Sequence, residues 1–343
     1  MTRPLRLGLL CLGRRPVSRV VEIARHAERA GFDYFWVPDE RFFREVYALC
    51  TAVAGATVRM LIGPCVTDPY TRHPALTAMA IATLDELSGG RAILGLGAGI
   101  SGFHELQLGQ PQPARAVAET AALVTQLLSG ERVTFEGRVF SFQGKLDFTP
   151  PRPAVPVYIA AGGPRMLETA GEVADGVIIE GCMSAPVLDA AIGHVRRGAR
   201  NANRDIAEVD IVARIDTAVD ESQERAYAAL RPRIARHLAN AAPGFERFLA
   251  RGVAVPDNVR ALTAGIGYTH DPALLAPIAA LVTPEMIDAF CIAATPDTLG
   301  EKIAPLLERN VTQLLINPVT PDDVVEPVIE AVAAWRTATF DAP

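Results

Sequence analysis

Residues 60–96, "MLIGPCVTDPYTRHPALTAMAIATLDELSGGRAILGL", contain one complete strand–helix–strand unit, and this unit decides the fold. An apolar run at 60–66 that ends in turn-forming residues predicts a buried strand. Pro74 begins an apolar helix that stops at Ser88-Gly89-Gly90, and residues 92–96 form the next short apolar strand. Neither strand alternates between apolar and polar residues. Both are therefore predicted to be buried on both faces, as parallel strands are.

The same alternation extends in both directions from this unit. Further apolar strands are predicted at 5–10, 34–37, 157–161, 176–179, 209–215 and 313–316. A count of about eight strands, with helices between them, predicts a (β/α)8 TIM barrel formed by a single domain over 1–343. A doubly wound sheet is the alternative. A hairpin near 132–142 and a segment near 242–290 are predicted insertions, and functional residues are expected where the strands end.

Composition excludes several classes of protein. The net charge is -6 and no block of Lys and Arg occurs, so nucleic acid is not an expected partner. The 5 cysteines are widely spaced without a CxxC pair, which indicates a reduced protein rather than a disulfide framework. The first apolar stretch is too short for a signal peptide, and the uncharged runs are too short to span a bilayer. A cytoplasmic protein without a membrane partner is expected.

Glycines mark two of the predicted strand ends. Residues 97–102 form a literal GxGxxG, but the next helix begins only near residue 114, which disfavours a dinucleotide fingerprint. These glycines instead allow the backbone to approach a flat or anionic ligand. Gly162 and Gly163 precede Pro164, and a helix that begins there presents N–H groups suited to a phosphate. A plain turn between strand and helix explains the second pair equally well.

Two adjacent acids, Asp39 and Glu40, follow the second predicted strand. Such a pair at the mouth of a barrel can transfer protons or anchor a polar ring. Capping of the next helix is the alternative, because Asp is a common N-cap residue.

Residues for metal or nucleophilic chemistry do not group in the sequence. The 6 histidines show no HExxH or paired ligand spacing, and neither a GxSxG elbow nor a P-loop occurs. No metal is therefore predicted, and His73 is expected to begin the helix at Pro74. Glycine-rich strand ends without an acid–base, metal or nucleophile set point to a bound cofactor that brings the reactivity.

The sequence resembles the bacterial luciferase-like oxidoreductase family in four stretches: "WVPDERFFREVY" (36–47), "GPCVTDPYTRHPALTAMAIATLDELSGGRAILGLGAG" (63–99), "ERVTFEGRVFSF" (131–142) and "PVYIAAGGPRMLETAGEVADGVI" (156–178). The resemblance is closest to the branch that contains methylenetetrahydromethanopterin reductase. It implies a (β/α)8 barrel that binds the deazaflavin coenzyme F-420 or FMN and acts as an oxidoreductase on a small molecule.

The resemblance also implies where the cofactor lies. The third strand of the family ends in a non-prolyl cis peptide on which the ring rests, and here that bond is Cys65–Val66. Thr67 and Asp39 would then lie near the ring, with the phosphate at the later glycines. The cofactor-binding residues implied in this way are Asp39, Cys65, Val66, Thr67, Gly97, Ala98, Gly99, Ala161, Gly162, Gly163, Gly181 and Cys182.

One departure from the family concerns catalysis. Several deazaflavin-dependent relatives have Asp-His where this chain has Asp39-Glu40, and the His is a proposed proton donor. Glu40 and Asp39 are the catalytic candidates here, with Glu40 as the acid.

Three hypotheses follow for the function. The first is hydride transfer by coenzyme F-420 to or from a C=N or C=C type substrate. The second is an FMN-dependent monooxygenase that works with a separate flavin reductase, and the third is a non-catalytic flavin-binding barrel. The apolar helix near 76–84 predicts a homo-oligomer, most simply a dimer.

Overall fold

Strands and helices alternate along the chain as the sequence predicts. A computed structural model of the protein describes residues 5–267 and 269–340. Residue 268, inside the predicted insertion 242–290, and the two ends of the predicted domain 1–343 lie outside the described residues. No helix within the described ranges has both the length and the apolar character needed to cross a membrane.

The strands are β1 Arg6–Leu10, β2 Tyr34–Val37, β3 Leu61–Pro64, β4 Leu94–Leu96, β5 Val133–Glu136, β6 Ser141–Gly144, β7 Val157–Ala160, β8 Gly176–Glu180, β9 Asp210–Val219, β10 Cys291–Ala294 and β11 Gln313–Pro318. The helices are α1 Val17–Arg29, α2 Val46–Ala54, α3 Pro74–Ser88, α4 Pro113–Leu128, α5 Pro164–Val173, α6 Ala185–Asn201, α7 Gln223–Ala241, α8 Glu246–Leu249, α9 Asp257–Thr263, α10 Pro272–Ala279, α11 Pro284–Asp288, α12 Leu299–Leu307 and α13 Glu326–Phe340. A 3-10 turn covers Ile206–Glu208.

Eight strands form one path in the order β3-β2-β1-β11-β9-β8-β7-β4. The pairs β1–β2, β2–β3, β4–β7 and β7–β8 are parallel. Isolated parallel bridges, Ile62 to Ala92 and Thr67 to Leu96, join the first and last strands of this path. The order and direction of the strands confirm the (β/α)8 barrel and exclude the doubly wound alternative.

The two predicted insertions have different structures. The hairpin is confirmed, because β5 and β6 pair antiparallel from Val133 opposite Gly144. The segment 242–290 contains four short helices, α8 to α11. The sequence did not predict β10, which follows this segment and pairs parallel with the second half of β9. At 4 residues β10 is as long as β2, which the sequence did predict, so length is not the reason. It was missed because it directly follows the 242–290 segment, where the alternation of strands and helices is interrupted.

The chain divides into two compact units, each with its own core. The first comprises Met1–Ile179, Ala191–Val212 and Thr312–Leu315, and the second comprises Glu180–Ala190, Ala213–Val311 and Ile316–Pro343. Aromatic side chains dominate the core of the first unit, where Trp36 stacks on Tyr34 and meets Tyr158 edge-on. In the second unit the helices of the 242–290 segment pack on α7 through Phe245, Phe248 and Phe290, among others. A single domain over 1–343 remains a prediction.

His73 caps the N-terminus of helix α3. The Nδ1 atom of His73 accepts a hydrogen bond from the N–H of Ala75 at 3.2 Å, and Pro74 occupies the first turn. Gly89 ends the helix with a φ of 68°, a left-handed conformation that glycine adopts without steric cost. The expected role of His73 at the start of this helix is therefore confirmed.

Candidate active site

Thr67 joins the ends of β2, β3 and β4. Its hydroxyl donates a hydrogen bond to Oδ2 of Asp39 at 2.7 Å. Its own N–H donates to the carbonyl of Gly95 at 3.0 Å, and its carbonyl accepts from the N–H of Gly97 at 3.0 Å. The structure therefore brings together three of the predicted site residues, Asp39, Thr67 and Gly97.

Arg41 also bonds to residues that follow these strands. Its Nη1 lies 2.6 Å from Oδ1 of Asp39, and its Nη2 lies 3.0 Å from Oδ2 of Asp68. Nη2 also donates to the hydroxyl of Thr71, and the Arg41 N–H donates to Oγ of Ser101 at 3.0 Å. The sequence placed Arg41 next to two acids but did not assign it a role. The position of Arg41, directly after two acids, was the feature of the sequence that could have indicated an ion pair here.

The carboxyl group of Asp39 is mostly buried, with 11% of its side chain exposed. Burial raises the pKa of Asp39 above its usual value, although the charge of Arg41 and the hydrogen bond from Thr67 oppose the rise. Its two oxygens accept from different donors, Oδ1 from Arg41 and Oδ2 from Thr67. Asp39 is thus fixed in position and holds a proton more readily than an exposed Asp.

The peptide bond Cys65–Val66 is cis, as predicted. The Cys65 side chain is buried, and Val66 lies against Gly97, where an added Cβ would come 2.5 Å from Cγ2 of Val66. Glycine at 97 therefore leaves the room that Val66 occupies. A second non-prolyl cis bond, Arg41–Phe42, was not predicted.

The loop after β4 is closed by Gln110. Its Nε2 atom donates to the carbonyl of Ala98 at 2.5 Å and to that of Gly99 at 2.9 Å. Gly99 has a φ of 76°, and an added Cβ would come 2.8 Å from the ring of Phe103. The carbonyl groups of Ala98 and Gly99 are therefore already paired, and Gly99 is required by the turn itself.

The backbone at the end of β7 has free space beside it, unlike the turn at Gly99. Ala161 is buried, but Gly162 and Gly163 are exposed, and a Cβ added at either would meet no atom within 4 Å. Gly163 precedes α5, whose first residue is Pro164. Free space beside a backbone at the start of a helix is the arrangement that binds phosphate.

Gly181 and Cys182 follow β8 and belong to the second unit. Gly181 has a φ of 60°, and its carbonyl accepts hydrogen bonds from Arg251. Burial raises the pKa of the Cys182 thiol to about 12, so this thiol stays protonated near neutral pH. Cys182 can therefore contribute through its backbone rather than as a thiolate.

The second unit also contains a charged cluster that the sequence did not predict. Oxygen and nitrogen atoms of Glu180, Asp216 and His237 lie within 4.8 Å of one another. Arg214 pairs with both carboxylates, and Arg233 donates to Asp216. These guanidinium groups already occupy the carboxylates, so a metal cation would be repelled. The members of the cluster come from distant parts of the sequence, which is why no local motif indicated it.

Glu40 is half-buried, and its backbone carbonyl accepts from the N–H of Phe43 at 2.9 Å. Its role as an acid remains a prediction, as do the roles of the other candidate residues.

Known proteins are similar to this chain in both sequence and fold. Residues 5–313 match the luciferase-like monooxygenase family. The chain is 36% identical over 299 residues to 5,10-methylenetetrahydromethanopterin reductase of Archaeoglobus fulgidus, covering 86% of this chain and 88% of the relative. It is 36% identical over 310 residues to the enzyme of the same name from Methanolobus tindarius, covering 90% and 92%.

A solved structure agrees with these relatives. The coenzyme F-420-dependent tetrahydromethanopterin reductase of Methanopyrus kandleri superposes with a TM-score of 0.86 at 29% identity, covering 96% of this chain and 97% of that structure. The family match extends over most of the chain, and the fold is the same. The chain therefore belongs to the luciferase-like monooxygenase family, and the two relatives named above are reductases.

Proposed function

We propose that this protein is a coenzyme F-420-dependent oxidoreductase that transfers hydride to or from a carbon atom of a small organic substrate. The observation that carries the proposal is the 36% identity, over most of both chains, to two methylenetetrahydromethanopterin reductases. The substrate belongs to the C=N or C=C type, such as an imine, an iminium ion or an enone.

The residues present fit a flat cofactor that carries a phosphate. Gly162 and Gly163 leave open space beside a helix N-terminus, which suits the phosphate. Thr67 donates its own hydroxyl proton to Asp39, so its oxygen still has lone pairs that can accept a hydrogen bond from the ring. These features support the assignment of both groups of residues to the cofactor.

The bound deazaflavin would supply hydride at its C5 or accept it there. The protein would contribute position and proton control. The backbone at Cys65–Val66 would support the ring, and Thr67 would orient its polar edge while Arg41 holds Asp39 still. Glu40, on the same turn as Asp39, would give or take the proton that balances hydride transfer at a C=N bond.

Direct binding tests this proposal. Titration of the purified protein with oxidised coenzyme F-420 and, separately, with FMN should give saturable binding of the deazaflavin and weaker binding of FMN. Thr67→Val removes the hydroxyl that bonds to Asp39 and should weaken deazaflavin binding about tenfold, the effect of about one lost hydrogen bond. Thr134→Val, on an exposed position of β5, is the control and should bind as wild type does. Tight FMN binding without deazaflavin binding would favour the monooxygenase hypothesis and contradict this one.

We also propose that the protein forms a homo-oligomer, most simply a dimer. Leu76, Met79 and Leu87 are exposed on α3, at spacings that place them along one side of the helix. An apolar stripe of this kind supports a contact with a second copy of the chain. Light scattering on the eluting protein should give about twice the mass of 36.6 kDa, and the monomer mass would contradict the proposal.

A further inference from the structure

Two exposed apolar side chains follow neighbouring strand ends of the barrel. Phe42 follows β2 and is 65% exposed, and Ile100 follows β4 and is 71% exposed. Among the large apolar side chains of residues 5–267 and 269–340, Val58 alone is more exposed than these two. A single exposed apolar residue needs no explanation, whereas two that share one surface mark a contact site.

The loops that carry Phe42 and Ile100 are joined through neighbouring residues. The N–H of Arg41 donates to Oγ of Ser101 at 3.0 Å. A Cβ added at Gly102 would come 2.5 Å from Cβ of Arg41, so the two loops approach closely. Phe42 directly follows one side of this contact, and Ile100 directly precedes the other. The two residues therefore belong to one surface, which we call the Phe42–Ile100 patch.

This patch is continuous with the candidate site. Arg41, which directly precedes Phe42, has its Nη1 atom 2.6 Å from Oδ1 of Asp39. Oδ2 of the same carboxylate accepts a hydrogen bond from the Thr67 hydroxyl at 2.7 Å. All of these residues belong to the first compact unit. The patch is thus held beside the groups that the proposed function assigns to the cofactor, where the substrate must also bind, and a fixed surface loses little freedom on binding.

We infer that Phe42 and Ile100 bind an aromatic or similarly flat apolar part of the substrate, and that they select substrates that carry such a group beside the reacting C=N or C=C bond. The inference rests on the proposed function and deepens it. A Phe ring stacks on a flat π system, and Ile100 supplies aliphatic area to the same group. Neither side chain forms hydrogen bonds, so the patch favours the apolar part of a substrate over its polar part.

Two cyclic amines, of the kind that reduction of a C=N bond forms, test the inference. Piperidine carries the amine in a ring alone, and tetrahydroisoquinoline carries the same ring fused to benzene. Calorimetry measures the binding of each amine to protein saturated with oxidised coenzyme F-420. Wild type should bind tetrahydroisoquinoline about tenfold more tightly than piperidine, the effect of one aromatic contact together with its buried area.

Truncation of either side chain should reduce this preference. Phe42→Ala and Ile100→Ala should each weaken binding of tetrahydroisoquinoline about threefold to tenfold, and should change binding of piperidine less than about twofold. Phe42→Leu keeps an apolar side chain but loses the ring, so it should show a smaller loss, and it replaces Phe42→Ala if that variant does not fold. Val58→Ala, at a similarly exposed apolar position of the same unit, is the control and should bind both amines as wild type does.

Other results overturn the inference. Equal binding of the two amines by wild type, or equal weakening of both in the variants, would mean that the patch does not contact the apolar group. A variant that keeps both amine affinities but has half the wild-type mass in light scattering would show that the patch is a contact between copies of the chain. If wild type binds no coenzyme F-420, the proposed function fails and this assignment fails with it. If wild type binds the coenzyme but does not distinguish the amines, this inference alone fails.

Discussion

Acidification should destabilise the protein through His237. This side chain is 11% exposed and packs edge-on against Phe290. Burial, and then the charge of Arg233, lower the pKa of His237 to about 4, so the ring is neutral in the folded protein at pH 7. In the unfolded chain it takes up a proton near pH 6.5. The folded state therefore loses stability as the pH falls from about 6.5 towards 4, and this contribution is fully present above about pH 6.5.

The size of the effect follows from the two pKa values. The gap between about 6.5 and about 4 corresponds to about 3 kcal/mol, of which about 2 kcal/mol is lost between pH 7 and pH 4.5. Titration of the neighbouring carboxylates does not hide the contribution of His237. Burial raises the pKa of Glu180 and of Asp216, but the positive charges of the nearby arginines lower both by more. The pKa of Glu180 falls to about 2, and that of Asp216 falls well below its usual value. Both carboxylates thus stay ionised across this pH range.

Urea unfolding of wild type and His237→Gln at pH 7 and pH 4.5 measures the effect. Between these two pH values wild type should lose about 2 kcal/mol more of its free energy of unfolding than the variant does, since the variant has no group to titrate at this position. His104→Gln, at an exposed position, is the control and should follow wild type. Equal losses in wild type and His237→Gln would refute the reasoning, because they would show that the ring is not held neutral by its surroundings.

Two further predictions concern stability and binding. Arg152→Met removes the cation that bonds to both oxygens of Asp85, whose side chain is 1% exposed, and should lower the free energy of unfolding by about 2 kcal/mol, since Arg152 itself is one-third exposed and water can replace part of the interaction. An unchanged urea midpoint would contradict this. Gly162→Ala should leave stability unchanged, because its Cβ meets no atom, but should weaken deazaflavin binding about tenfold by filling space meant for the cofactor. Gly193→Ala, which has similar free space on α6, is its control, and equal affinity in the two variants would remove Gly162 from the cofactor site.

The order of strands and helices could be predicted because it depends on local patterns. Apolar runs, Pro74 at a helix start and Gly89 at its end act within a few residues, and the structure agrees with each. The cis bond at Cys65–Val66 was predicted from the family resemblance rather than from the residues themselves. The strand β10 was missed because it follows the 242–290 segment, which interrupts the alternation of strands and helices.

The side-chain networks could not be predicted in the same way. Arg41 contacts Asp68, which is 27 positions away, and Arg251 contacts Gly181, which is 70 positions away. Such pairs depend on which strand ends and loops the fold brings together, and no periodicity in a single sequence encodes them. The residue types indicated only that acids and arginines near strand ends could form ion pairs.

The bonds around Thr67 have a consequence for the kinetics of binding. Asp39, Gly95 and Gly97 are all held by Thr67 through groups of the protein itself. The geometry of this part of the barrel mouth is therefore established when the chain folds, before any ligand arrives. A ligand that docks here should associate in a single concentration-dependent phase, without a slower ordering step, because the entropy of arranging these groups has already been lost.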